Sequence, residues 1–289
     1  MKKSPEEILR DLPDDWWQHA SVAAELLHNW FRTFVVGLFI SGKVGQKPEY
    51  YLFTGFLLES QNYLLWLTAG HVIDNISALL ASPNFSLSFM RWLDGYETPG
   101  AEGVPINHTG LSMKSWRQEG LDLGAVRLPI LEKYALMANE GASVMSEQAW
   151  RNLKAASPEG YYAIGFPRAW NDLKQTKAKG TQVLNSLKAD LACLPIIEVQ
   201  RTSDSPSDSF WDHNNSFYGK ILRFPDQPAL RIDNIVGMSG GPILSIERSP
   251  DAKIGIRLVG VQVEWLPSSE IVRAESIQEI AAALDAWNE

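Results

Sequence analysis

The sequence predicts a mostly β protein, with two antiparallel β lobes set between a helical leader and a closing helix. Three observations carry this expectation. Short runs rich in β-branched and aromatic residues recur from Phe34 to Trp265. Glycine, proline and polar residues punctuate them. Helical spacing is concentrated at the two ends of the chain.

The leader, residues 1–30, opens with Ser4-Pro5-Glu6-Glu7. Ser4 reads as an N-cap, Pro5 sits in the first turn, and the acids lie near the positive end of the helix dipole. A second helical pattern from Asp14 to Asn29 offers Trp17, Val22, Leu26 and Leu27 for burial. The first β lobe, residues 31–150, carries the runs Phe34–Ile40, Tyr50–Leu58, Tyr63–Thr68, Phe85–Trp92 and Leu123–Leu128. The second, residues 151–289, carries Gly160–Gly165, Gly180–Leu187, Ile196–Gln200, Ser216–Ile221, Pro242–Ile246 and Arg257–Trp265. Between them Arg201–Asn215, rich in Ser, Asp and Pro, reads as an exposed loop. Ala274–Trp287 returns to helical spacing through Ile277, Ile280, Ala281 and Leu284.

Bulk properties bound the function. A chain of 289 residues, 45% apolar and 21% charged, has material for a large core. Its formal charge of -8 argues against nucleic-acid binding through a general basic surface. After Met1-Lys2-Lys3 the chain continues with acids where a secretory signal needs an apolar run. The longest apolar stretch falls far short of the ~20 residues of a membrane span, so no membrane partner is expected. Cys193 is the only cysteine, which excludes an internal disulfide and a thiolate-rich zinc site. No metal or cofactor is expected.

Three motifs follow one another along the chain. Leu67-Thr68-Ala69-Gly70-His71-Val72 is a β run ending at a histidine in a small-residue turn. Gly120-Leu121-Asp122-Leu123-Gly124-Ala125-Val126 sets an aspartate before a β run. Gly237-Met238-Ser239-Gly240-Gly241-Pro242 places a serine inside a glycine-rich turn. A serine hydroxyl is a weak nucleophile near neutral pH and needs a base within hydrogen-bond reach. Histidine is the side chain best suited to that work, and an acid on its other nitrogen orients it.

In this order the motifs resemble those of the trypsin-like (chymotrypsin-fold) serine peptidase superfamily, including its disulfide-free bacterial intracellular members. The resemblance spans roughly Phe31 to Asn288, with only the motifs and strand rhythm specific. It implies two antiparallel β-barrels with the site in the cleft between them. It also implies peptide-bond hydrolysis through an acyl-enzyme, with Ser239 as nucleophile, His71 as general base and Asp122 as orienting acid. The backbone N–H groups of Gly237 and Ser239 would hold the oxyanion. Asp74 and Asp94 are rival acids: Asp74 falls on the same short helical turn as His71 and points elsewhere, and Asp94 in Trp92-Leu93-Asp94-Gly95 reads as a turn. Met238 stands where secreted members carry an aspartate that pairs with a newly cut N-terminus, so that activation route is not expected.

The same resemblance puts Asp233, six residues before Ser239, at the base of the primary specificity pocket. A carboxylate there favours Lys or Arg at the cleaved position. Leu258–Trp265 resembles the strand that pairs with extended substrate. Its register leaves open which of Val263, Glu264 and Trp265 face the pocket. Protein or peptide substrates and a cytoplasmic location follow as expectations. An alternative keeps the fold but makes it a catalytically restrained peptide-binding or regulatory module, with the leader covering the cleft or docking a protein partner. An α/β-hydrolase esterase would need its histidine after the serine, and none follows Ser239.

Overall fold

Strand-forming residues build one main antiparallel sheet in each half, and the largest cluster of buried side chains runs from the first sheet into the second. The computed structural model describes residues 30–94, 103–138, 142–151, 158–168, 176–177, 183–184, 190–200, 210–211, 215–222, 234–248 and 254–288. The leader before residue 30, most of the 201–215 segment and Asp233 lie outside the described residues.

The first lobe contains β1 (Val35–Val44), β2 (Lys47–Ser60), β3 (Tyr63–Ala69), β4 (Phe85–Asp94), β5 (Val104–Pro105), β6 (Ser112–Ser115) and β7 (Leu123–Arg127). They form one seven-stranded sheet in the order β5-β4-β1-β2-β3-β7-β6. Every pairing in it is antiparallel. Trp66 and Trp92 fill its interior with ring centroids 5.2 Å apart. The Trp66 indole donates to the Val36 carbonyl at 2.7 Å, so its one polar atom is satisfied within the core.

The second lobe contains β8 (Pro158–Gly165), β9 (Thr176–Lys177), β10 (Val183–Leu184), β11 (Ala192–Glu198), β12 (Phe217–Ile221), β13 (Pro242–Arg248), β14 (Ile254–Leu266) and β15 (Ile271–Ser276). Six of these close into a barrel in the order β11-β12-β15-β14-β13-β8. β9 and β10 pair only with each other. Two antiparallel β lobes are thus as expected from the sequence. Closure by backbone hydrogen bonds is completed in the second, whereas β5 and β6 remain the edges of the first.

Helices depart more from expectation. Four are described: α1 (Gly70–Ala81), α2 (Ile130–Ala138), α3 (Glu147–Trp150) and α4 (Ile277–Asn288). The closing helix starts three residues later than its spacing predicts. Ile271–Ser276 is instead a fully buried strand paired with β12 and β14. Pairing on both edges satisfies its backbone and overrides the local helical spacing.

α4 belongs to the second lobe in sequence but docks on the first. Trp287 meets Trp116 edge-on at 5.5 Å. The Arg127 guanidinium lies between the rings of Tyr63 and Trp287, 4.3 and 4.2 Å from their centroids. It also donates to the Trp287 carbonyl at 3.1 Å. Arg151 adds a bidentate grip on Asp285 at 2.6 and 3.2 Å. No described helix is long and apolar enough to cross a membrane.

Candidate active site

The fold brings His71 and Asp122 together through strand pairing. β3 and β7 run antiparallel with Ala69 opposite Leu123, so the residues flanking that pair are forced side by side. β3 ends there, α1 begins at Gly70, and the Gly70 amide donates to the Asp122 carbonyl at 3.0 Å. The His71 amide donates to Asp122 Oδ1 at 2.8 Å, and its Nδ1 lies 2.9 Å from Oδ2. Gly70 is required by this approach. A Cβ there would stand 2.8 Å from the Leu123 carbonyl oxygen and 2.6 Å from Arg117 Cγ.

Burial raises the proton affinity of the Asp122 carboxyl. The two hydrogen bonds from His71, the imidazole's charge and the nearby Arg117 guanidinium outweigh it. The carboxyl is held below its ordinary range. An ionised carboxylate only accepts, so Nδ1 must carry the shared proton and the neutral imidazole keeps its lone pair on Nε2. That is the tautomer a general base needs.

Ser239 sits in a turn held from both lobes. Gly237 and Gly240 adopt φ of 102° and 93°, in the region that favours glycine. Thr54 of β2 donates its hydroxyl to the Gly237 carbonyl at 2.6 Å and accepts from the Phe166 amide at 3.0 Å. Met238, fully buried, anchors the turn beneath its neighbour Gly165. Gly240 lodges against Thr68 and Thr54, so closely that a Cβ would collide with the Thr68 hydroxyl and the Thr54 carbonyl. The serine turn therefore rests on the strand that leads into His71.

Substituting Gly240 with alanine combines a left-handed backbone with that collision. The variant is expected to lose about 2–5 kcal/mol of stability, measured as the denaturant midpoint at unchanged slope. An unaltered midpoint would show that the turn is not wedged between the two threonines.

Backbone satisfaction alternates through the turn. The amides of Met238, Gly240 and Gly241 donate to Ile235, Gln262 and Met238 carbonyls at 3.0, 2.7 and 2.9 Å. Among the described residues, those of Gly237 and Ser239 have no protein acceptor. Two N–H groups are thus free to take a ligand oxygen. Among the described residues, Ser239 Oγ and His71 Nε2 share no hydrogen bond, a contact that is often loose before substrate engages.

The other sequence candidates are placed as follows. β13 and β14 pair only as far as Pro242 opposite Val261. Beyond it, Gln262 still donates to Gly241 and accepts from Gly240, and among the described residues the 263–266 segment pairs with β15 alone. Val263 lies at a bulge with its side chain in the core, so it offers backbone and not a pocket wall. Glu264 is exposed and Trp265 half-buried. Asp74 is on α1, turned to Arg117 at 3.0 Å. Asp94 ends β4 opposite Val36, and Gly95, the rest of the expected turn, lies outside the described residues. His108 lies exposed in a short 3₁₀ turn.

Sequence reasoning missed a buried charge cluster behind Asp122. Its amide donates to Glu275 Oε1 at 3.2 Å, and Arg273 NH1 donates to the same oxygen at 3.0 Å. Arg273 Nε reaches Glu264 Oε2 at 3.1 Å. The signal was a two-residue alternation placing positions 273 and 275 on one strand face, hidden by reading Ala274 onward as helix.

No family model and no curated protein matches the chain. Solved structures do. Protease Anisep from Arthrobacter nicotinovorans is similar at 15% identity and a TM-score of 0.44, over 88% of this chain and 96% of that one. A thermostable serine protease AL20 from an extremophilic microorganism matches at 11% identity and 0.42, over 88% and 95%. A serine protease of human pathogenic astrovirus matches at 11% and 0.38, over 85% and 90%.

Proposed function

We propose that the chain is a serine endopeptidase acting through an acyl-enzyme. The observation that supports this best is the doubly hydrogen-bonded His71–Asp122 pair, held at the end of the strand on which the Ser239 turn rests. In this reading Ser239 Oγ attacks the scissile carbonyl as His71 Nε2 takes its proton. Asp122 stabilises the imidazolium, which then protonates the leaving amine. The Gly237 and Ser239 amides receive the developing oxyanion, where each such donor contributes about 3–4 kcal/mol. Water repeats the steps in reverse to release the acid product. Among the described residues the outer edge of 263–266 has no strand partner, and an extended peptide could add there as a further strand.

Lys or Arg preference belongs to the same reading and rests on Asp233. Peptide-library profiling tests both. Cleavage at discrete bonds is expected from the wild type and not from Ser239→Ala. Enrichment of Lys or Arg at the cleaved position, relaxed in Asp233→Ser, supports the pocket assignment. A preference unchanged by that substitution removes it.

One observation favours a second reading, the missing Ser239–His71 hydrogen bond among the described residues. A restrained module would bind peptides on the same strand edge without cleaving them. Peptide binding with no product over the library would select it.

A further inference from the structure

We infer that Glu275 is a positioning residue for the His71–Asp122 pair, a buried carboxylate that reaches across from the second lobe to fix the catalytic acid by its backbone. This deepens the peptidase reading and rests on it. Glu275 and Arg273 side chains are 5% and 6% exposed, and the Asp122 side chain 20%. Glu275 lies on β15 of the barrel, whereas Asp122 leads into β7 of the first lobe.

The logic is one of satisfaction and charge. The Asp122 amide stands just before β7 and takes Glu275 Oε1 as its acceptor. Both Asp122 carboxylate oxygens are already committed to His71, one to its amide and one to its ring. A shift of this backbone would therefore disturb both bonds at once. A second carboxylate so near Asp122 would be repulsive if alone. Arg273 counters it, and Glu264, opposite it on β14, fixes the direction of that guanidinium. Buried ionic groups of this kind need every partner, since removing one leaves an uncompensated charge. Gly260 makes room for the arrangement: a Cβ there would collide with the Glu275 carbonyl, so β14 and β15 approach closely behind Glu275.

The test uses the full chain carrying Glu275→Leu, Glu275→Gln, and the paired change Glu275→Met with Arg273→Met. The paired change removes the ionic interaction without leaving a buried charge unpaired, since Glu264 is exposed, so it is expected to fold if the leucine variant does not. Three quantities are read: kcat and KM on a cleaved peptide, exchange of the Asp122 amide proton, and the downfield proton resonance of the His71 Nδ1–H. Loss of the acceptor should lower kcat about 10- to 100-fold through misplacement of the base, with KM within about twofold. Amide exchange should quicken and the downfield resonance shift or vanish. Glu275→Gln keeps an acceptor oxygen and should recover most of kcat and the resonance. Folded leucine or double-methionine protein with wild-type kcat and an unmoved resonance overturns the inference. The two spectroscopic readings are repeated in Ser239→Ala background. They report on Asp122 and His71 even if Ser239 proves inert, so the two readings fail separately.

Discussion

Alanine at position 239 is expected to abolish covalent labelling by a fluorophosphonate and to lower kcat on the order of a million-fold. The hydroxyl is the only atom in the Gly237–Gly241 turn able to bond to a carbonyl carbon, and methyl leaves nothing in its place. Its removal should spare the fold, because Ser239 Oγ makes no hydrogen bond among the described residues and the turn is held by Met238, Thr54 and Gly240. Intact-mass analysis of probe-treated protein reads the result, with a melting curve beside it. One adduct on the wild type and none on a folded alanine variant is the outcome expected. Equal labelling of both would move the nucleophile elsewhere. Its absence from folded wild type would leave the restrained peptide-binding module ahead.

The second large effect is expected at Asp122→Asn, with kcat falling about 10⁴-fold at little change in fold. The shapes match, and an asparagine oxygen can still accept from the His71 amide as Oδ1 does now. The other end becomes an N–H₂ group facing Nδ1, which must then accept. That forces the ring proton onto Nε2, the atom that has to receive the serine proton. A loss below tenfold would show that Asp122 does not set the tautomer. Asp74 is poorly placed to replace it, since its carboxylate is engaged by Arg117. Steady-state kinetics on the peptide identified by library profiling supplies the measurement.

Much of this arrangement was legible in the sequence because short patterns encode it. The apolar runs gave both lobes, since alternate burial on a sheet leaves a local imprint. The pairing of Ala69 with Leu123 that joins His71 to Asp122 follows from two such runs becoming neighbours. α1 reads in the sequence only as a short helical turn carrying His71 and Asp74, although Val72, Ile73 and Ile76, all buried, carry the spacing of a longer helix. Thr68-Ala69-Gly70 looked like a tight turn, whereas Gly70 is there for the close approach of Asp122 and Arg117. Long-range chemistry left the weakest trace. Nothing local announces that Thr54 will hold Gly237, 183 positions away, or that Glu275 will find the Asp122 amide. Such contacts exist only once both lobes are folded, and no window of neighbouring residues contains them.

The return of α4 to the first lobe has a consequence for biosynthesis. During translation the Tyr63, Trp116 and Arg127 surface emerges well before its cover, Trp287, which is made 160 positions after Arg127. Domains fold from the N-terminus as they leave the ribosome, so this aromatic seat stays bare until nearly the whole second barrel has been threaded out. A nascent chain therefore carries its imidazole and its carboxylate well before the two halves can be latched, which delays assembly of the crevice until α4 has been made.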